Sequence, residues 1–171
     1  ILVMGILLNW VAASLLAFAA AFYIFVYTIW LKRRTPQNIV IGGAAGAIPP
    51  MIGWASVTGS VNLEALALFL IIFMWTPPHF WALALYRDGD YAKAGIPMLP
   101  VVSGAKETRR QILIYTLLLV PLTFLPIILE TAGIFYGIVT AILGAYFTWL
   151  AIQIVRKEDE RSAKRLFGFS I

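Results

Sequence analysis

Long apolar runs alternate with short polar breaks along this chain, and the breaks are of two kinds. Those at Lys32–Asn38, Arg87–Arg110 and Arg156–Arg165 are basic, whereas those at 9–10, 58–62 and 130–133 contain no Lys or Arg. The intervening runs predict five complete membrane spans, at Val11–Leu31, Asn38–Val57, Val61–Tyr86, Gln111–Leu129 and Ile134–Val155, because a spanning helix needs about 20 mostly apolar residues. Ile1–Leu8 is shorter than that: as helix it covers about 12 Å of a hydrocarbon core about 30 Å thick, so it reads as the tail of a span. Leu166–Ile171 reads as the opening turn of another. The expected fold is all-α, a polytopic transmembrane helical bundle with five complete spans and partial spans at both ends.

The spans differ in detail. The first ends in Phe22, Tyr23, Phe25, Tyr27 and Trp30, an aromatic belt leading into Lys32, Arg33 and Arg34. The second carries the small-residue run GGAAGA at Gly42–Ala47, with Gly42 and Gly46 at the spacing for close helix packing, and Pro49 and Pro50 break or kink it. The third contains Pro77 and Pro78, which interrupt it and free carbonyls near Phe73 and Met74. Those carbonyls need partners in lipid, so this part should face protein or a cavity. Arg87–Arg110 is expected to be a long polar loop, and Arg156–Arg165 a solvated charged connector.

Composition sharpens the membrane reading. Hydrophobic residues make up 61% of the 171 and charged residues only 12%, about half the usual charged share of a soluble domain. The net charge of +5 does not point to nucleic acid, because the basic residues sit between apolar spans. The absence of cysteine excludes disulfides, zinc thiolates and a cysteine nucleophile. The opening residues lack the pattern of a signal peptide. All 13 Lys and Arg fall in the three basic breaks, which five spans place on one face. The positive-inside rule makes that face cytoplasmic, or matrix-facing in a mitochondrion. The expected location is a bacterial inner membrane, or a mitochondrial inner membrane, with multiple passes.

Intramembrane and interfacial polar groups are costly and usually functional, and here they concentrate in Thr76–Pro100. That stretch holds the sole histidine, His79, together with Asp88, Asp90, Arg87 and Lys93. On a helix, Asp88 and Asp90 would lie about 200° apart. Gly89 suggests that the helix has ended, and a loop can turn both carboxylates to one ion. Two carboxylates beside Arg87, Lys93, Arg33 and Arg34 suit Mg²⁺ carrying a phosphate or diphosphate; an ordinary wet interfacial loop is the competing reading. His79 lies about 10 Å inside the third span. It is read as a ligand, a proton carrier or a hydrogen-bond donor, or else as a cap on a carbonyl freed by the prolines. Glu64 and Glu130 belong to the opposite, solvated face.

Two long strings carry a resemblance. YTIWLKRRTPQNIVIGGAAGAIPPMIGW, Tyr27–Trp54, and TPPHFWALALYRDGDYAKAGIPMLP, Thr76–Pro100, resemble the two signatures of the protohaem IX farnesyltransferases, within the UbiA-type intramembrane prenyltransferases. The resemblance extends over nearly the whole chain. It implies that residues 1–171 are a single transmembrane prenyltransferase domain, the C-terminal part of a bundle of roughly nine spans. It implies a reaction in which farnesyl diphosphate, bound with Mg²⁺ between two aspartate-rich motifs, alkylates a vinyl group of haem B to give haem O. In these terms Asp90 with Asp88 would hold Mg²⁺, and Arg87 and Lys93 would stabilise the departing diphosphate. Tyr27 and Lys32 match the tyrosine and basic residue that end the equivalent helix, with Arg33, Arg34 and Asn38 beside them as substrate contacts. His79 would meet haem. Implied partners are farnesyl diphosphate, haem B, the bilayer and a haem A synthase or oxidase-assembly protein.

This stretch departs from the family in two ways. Tyr86 stands where the second motif often has an aspartate, four residues before Asp90, and the first motif is expected upstream of Ile1. A quinone or chlorophyll prenyltransferase is the first alternative. A polytopic transporter is the second, although its ionisable groups would be expected near the midplane and its halves repeated.

Overall fold

A computed structural model describes residues 1–171. It is a set of antiparallel helices joined by short turns, and five of its helical segments are long and apolar enough to cross a membrane: Trp10–Leu31, Asn38–Thr58, Leu63–Leu85, Leu99–Ile128 and Ile134–Lys157. A short helix, α1 (Leu2–Leu7), precedes them. Span one is α2 (Trp10–Ala21), which continues as a π-helix over Phe22–Leu31. Span two is α3 (Asn38–Ala47) followed by α4 (Pro49–Thr58). Span three is α5 (Leu63–Leu85). A short polar helix, α6 (Asp88–Lys93), leads to α7 (Leu99–Leu122) and α8 (Leu125–Ile128), then α9 (Ile134–Lys157) and α10 (Glu160–Phe169).

Side-chain chemistry sets the ends of these helices. Asn9 caps α2 by accepting from the Ala12 N–H at 2.9 Å, and its amide donates to the Ala55 carbonyl at 2.8 Å. One residue thus starts span one and clamps it to the end of span two, on the face without basic residues. Asn62 caps α5 by accepting from the Ala65 N–H. At the other face, α6 closes with a Schellman turn. Ile96 N–H donates to Tyr91 O at 3.0 Å and Gly95 N–H to Ala92 O at 3.1 Å, with Gly95 at φ 66°.

The core gathers where α5, α7, α9 and α10 meet. Trp81, Met98, Ile112, Ile154 and Leu166 are all essentially inaccessible there. Trp81 and Ile154 lie near the basic ends of their helices, so the tightest packing stands directly under the polar face and fixes the ends from which α6 and α10 spring. Elsewhere the outer faces of the spans are covered with exposed Leu, Ile, Val and Phe, as at Phe18, Leu117, Ile138 and Ile142. That suits lipid, which demands internal backbone pairing but no apolar burial.

Four expectations need correction. Arg87–Arg110 is not a loop: it contains α6 and the first turns of α7, interrupted only where Gly104 takes φ 79°, ψ 164°. The charged connector does not extend to Arg165, since Glu160–Phe169 is one helix with polar and apolar faces and Leu166 in the core. Pro77 and Pro78 do not interrupt span three; α5 runs through them, and both are fully buried. That burial is what their freed carbonyls were expected to need. The fourth correction concerns Gly46. A Cβ on Gly42 would collide with the Tyr27 ring and one on Gly43 with Thr76, but a Cβ on Gly46 would meet nothing within 4 Å. The close approach is therefore made by Gly42 and Gly43.

Candidate functional site

The site is assembled from two chain segments that are far apart in sequence. From span one, the π-helix brings Tyr23 and Tyr27 to the same side, ring centroids 5.4 Å apart. Lys32 N–H donates to Tyr27 O at 2.8 Å, the five-residue pairing of a π-helix. Its side chain leans back so that Nζ lies 6.0 Å from the Tyr27 ring centre. Arg33 and Arg34 follow, exposed. From span three, α5 ends at Leu85 and α6 carries Asp88, Asp90, Tyr91 and Lys93. Tyr91 lies on the same face, within electrostatic reach of Tyr27. Burial pushes the Tyr91 phenol above its ordinary pKa; Tyr86 and Asp90 push the same way and Arg87 opposes them. At neutral pH it is a hydroxyl able to donate.

The charge balance of this face is uneven. Arg87 Nη1 and Asp90 Oδ2 pair at 3.2 Å with both side chains more than half exposed, and such a pair contributes only about 0–1 kcal/mol. Arg87 can therefore turn to a stronger anion at little cost. Lys32, Arg33, Arg34 and Lys93 make no ion pair within the chain. Five cations, Lys32, Arg33, Arg34, Arg87 and Lys93, outnumber the two carboxylates Asp88 and Asp90, and the excess attracts an anion.

Asp88 and Asp90 do not converge. Both lie in the first turn of α6, where residues two apart point to different sides. Asp88 Oδ1 accepts from the Gly89 N–H at 2.7 Å, while Asp90 faces Arg87. The expectation of a loop turning both carboxylates to one ion is corrected on that ground. No three His, Asp or Glu side chains gather into a ready metal cage. Asp90, paired only with the exposed Arg87, remains able to lend a carboxylate to a hydrated cation that a phosphate group shares, which is how Mg²⁺ is commonly held.

Asn38, expected at the substrate, is instead fully buried at the start of α3. Its Nδ2 donates to Thr35 O at 2.7 Å and to Lys32 O at 3.5 Å. It pins the turn that presents Lys32, Arg33 and Arg34, so its place here is in positioning those cations.

His79 is buried to 9% exposure. Its ring stacks on Trp75 at 4.2 Å and on Phe167 at 4.7 Å. Nδ1 lies 2.7 Å from Ser170 Oγ, and the Ser170 hydroxyl donates to Phe167 O at 2.7 Å. A hydroxyl has one proton to give, so Nδ1–H donates to Ser170 and the neutral ring keeps its lone pair on Nε2. The carbonyls freed by the prolines are not what His79 meets. Sequence reasoning missed Tyr91, Trp75 and Ser170. Trp75 Nε1 donates to Ser170 O at 3.1 Å, but a contact spanning 95 residues leaves no local pattern. Tyr91 did leave a signal, as the lone aromatic within an otherwise polar turn.

Under this face lies a cavity of about 460 Å³ between α2 with its π-helix, α3 and α5, with Tyr27 and Phe80 among its lining residues. Unpaired cations thus stand at one interface of a membrane bundle, with a largely apolar chamber beneath them. The family follows from the sequence: the model of the UbiA prenyltransferase family matches residues 1–171, and the chain belongs to that family. It is 69% identical over its full length to a protoheme IX farnesyltransferase of Parvibaculum lavamentivorans, covering 55% of that protein. It is 56% identical to protoheme IX farnesyltransferase 2 of Mesorhizobium japonicum, covering 56% of it. The corresponding protein of Novosphingobium aromaticivorans is 54% identical, with 58% covered. The chain thus spans about half the length of the curated relatives it matches. No solved structure matches it.

Proposed function

We propose that this chain forms the half of an intramembrane prenyltransferase that receives the diphosphate of farnesyl diphosphate and presents the farnesyl group to a vinyl carbon of protohaem IX. The observation that carries this reading is the set of unpaired cations, Lys32, Arg33, Arg34 and Lys93, on the face shared by the two signature segments and above the cavity. The relatives named above for haem farnesylation support the acceptor.

In this reading Lys32, Arg33, Arg34, Arg87 and Lys93 hold the diphosphate oxygens, the arginines through paired N–H donors. The hydroxyls of Tyr27 and Tyr91 donate to the same group. These donors stabilise charge as the C1–O bond of the farnesyl group breaks and the diphosphate leaves with the electron pair. The vinyl carbon then bonds to farnesyl C1. Water adds to the resulting cation, loses a proton and leaves the hydroxyl of haem O. Asp90 is the carboxylate that would hold Mg²⁺, which when bound neutralises diphosphate charge; Asp88 is the weaker candidate. His79 would meet haem through Nε2, the nitrogen left free by Ser170. The protein would sit in a bacterial inner membrane with its charged face to the cytoplasm, and a haem A synthase or oxidase-assembly protein would take the product.

The test is acceptor choice. Full-length protein in nanodiscs is given farnesyl diphosphate and Mg²⁺ with either haem B or an aromatic quinone precursor. Farnesylated haem, and no farnesylated quinone precursor, is the expected outcome. Transfer to the quinone precursor alone would refute the haem assignment and retain the prenyltransferase. Transfer to neither would refute both.

A further inference from the structure

Of the three glycines on α3 that line the cavity, Gly42 and Gly43 are accounted for by close approach, to the Tyr27 ring and to Thr76. Gly46 is not. A Cβ there would meet nothing within 4 Å, so a side chain added at this position projects into the chamber of about 460 Å³ that Gly46 borders. In a helix interior a glycine is destabilising relative to alanine, and no packing contact within the chain explains it.

The chamber has a direction. Tyr27 and Phe80 line it near the charged face, and Ala19 and Ile72 line it toward the opposite face. Ile72 and Phe80 are eight residues apart on α5, a rise of about 12 Å at α-helical geometry, and Ala19 and Tyr27 are eight apart along span one, whose second half is π-helical. Gly46 is likewise eight residues from Asn38, where α3 starts beside the cations, so it stands near the deep end. One wall is Trp75, held by its hydrogen bond to Ser170 O and its stack on His79. The bore is polar at the mouth, apolar within, and bounded by a fixed indole.

We propose that this bore takes the isoprenoid chain of the donor, and that the missing side chain at Gly46 sets the length of chain it accepts. The inference rests on the prenyl-transfer reading above and deepens it. Gly46 is a specificity-determining residue here, acting on the distal end of the chain and leaving the diphosphate to the cations about 12 Å away.

The experiment compares the full-length protein with Gly46→Leu and, as control, Gly53→Leu. Gly53 is on α4; a Cβ there also meets nothing within 4 Å, and it does not line the chamber. Each protein is given geranyl or farnesyl diphosphate with haem B and Mg²⁺. Competition of the two donors for binding is measured separately, as a readout that needs no turnover. In Gly46→Leu, farnesyl diphosphate should lose about tenfold or more in kcat/KM and in affinity, in the range seen when a hydrophobic pocket no longer fits a group. Geranyl diphosphate should be little changed, and Gly53→Leu should match the parent. Equal loss for both donors, no loss for either, or the same shift in Gly53→Leu would overturn the role of Gly46 and leave the prenyl-transfer reading standing. If Gly46→Leu fails to fold, Gly46→Ala and Gly46→Val must show the same shift in smaller steps, and a flat series would overturn the proposal. Absence of prenyl transfer by the parent with both donors would sink the reading on which it rests.

Discussion

Two alanine substitutions three residues apart on α3 should have opposite effects on stability. A Cβ on Gly43 would lie 2.8 Å from Thr76 Cγ2 and 3.1 Å from Thr76 Cβ. Thr76 cannot move aside: it is 7% exposed, and its hydroxyl donates to Ile72 O at 2.8 Å. Its branched Cβ restricts rotation further. In Gly43→Ala, α3 must therefore back away from α5, an overpacking cost of about 1–3 kcal/mol. Gly46→Ala meets no neighbour and relieves the glycine penalty, a gain of about 0.5–1 kcal/mol. The two variants should differ by about 1.5–4 kcal/mol. Unfolding of each in mixed micelles, followed through the six tryptophans, measures the difference. Equal stability of the two, or a destabilised Gly46→Ala, would refute the reading that Gly43 is in close contact and Gly46 is not.

Other outcomes follow from the same geometry. Arg33→Cys, Lys93→Cys and Glu160→Cys should react with impermeant reagents from the cytoplasmic side and Ser60→Cys from the other; labelling of positions 60 and 93 from one side would end the five-span topology. Asp159 caps α10 by accepting from the Ser162 N–H at 2.8 Å, and its hydrogen bonds to Ser162 hold its carboxyl below the usual range. A depressed pKa means the cap is complete above the unfolded value of about 3.9 and is lost as pH falls through the folded one. Amide protection at the start of α10 should drop in strong acid, and Asp159→Asn, a cap without a charge, should abolish that dependence. His79→Ala should weaken haem binding with little change for farnesyl diphosphate; a parallel fall of both affinities with melting temperature would make the residue purely structural.

The spans were legible because lipid permits few alternatives: an uninterrupted apolar run of the right length must be helix. The grouping of the basic breaks at one end of the bundle was legible as well, since every Lys and Arg lies in an alternate break between antiparallel spans. What escaped was the local structure of the polar segments. Asp88–Lys93 reads as loop because Gly89 and the two aspartates disfavour helix intrinsically, yet a Schellman turn at Gly95 and the buried Met98 hold it as one. Glu160–Phe169 reads as connector and stub because its polar and apolar positions were divided by stretch and not by face. The π-helix at Phe22–Leu31 has no Gly or Pro to announce it. The pairing of His79 with Ser170 joins residues 91 apart, so only the packing of α10 on α5 reveals it. Of the expected site residues, Tyr27, Lys32, Arg87, Asp90 and Lys93 were placed on one face by signature and charge. Asn38 was misassigned because nothing in sequence distinguishes an amide that binds ligand from one that holds a turn.

The account turns on the charged face of α6 being where the farnesyl group is released. Its most direct test is the mass of haem recovered after full-length protein is incubated with haem B, farnesyl diphosphate and Mg²⁺, compared between the parent and Asp90→Asn. The parent should return haem heavier by one farnesyl group and one hydroxyl. Asp90→Asn should remain in the membrane and bind haem but lose several kcal/mol of transition-state stabilisation, leaving almost no product. Near-normal farnesylation by Asp90→Asn would contradict the account.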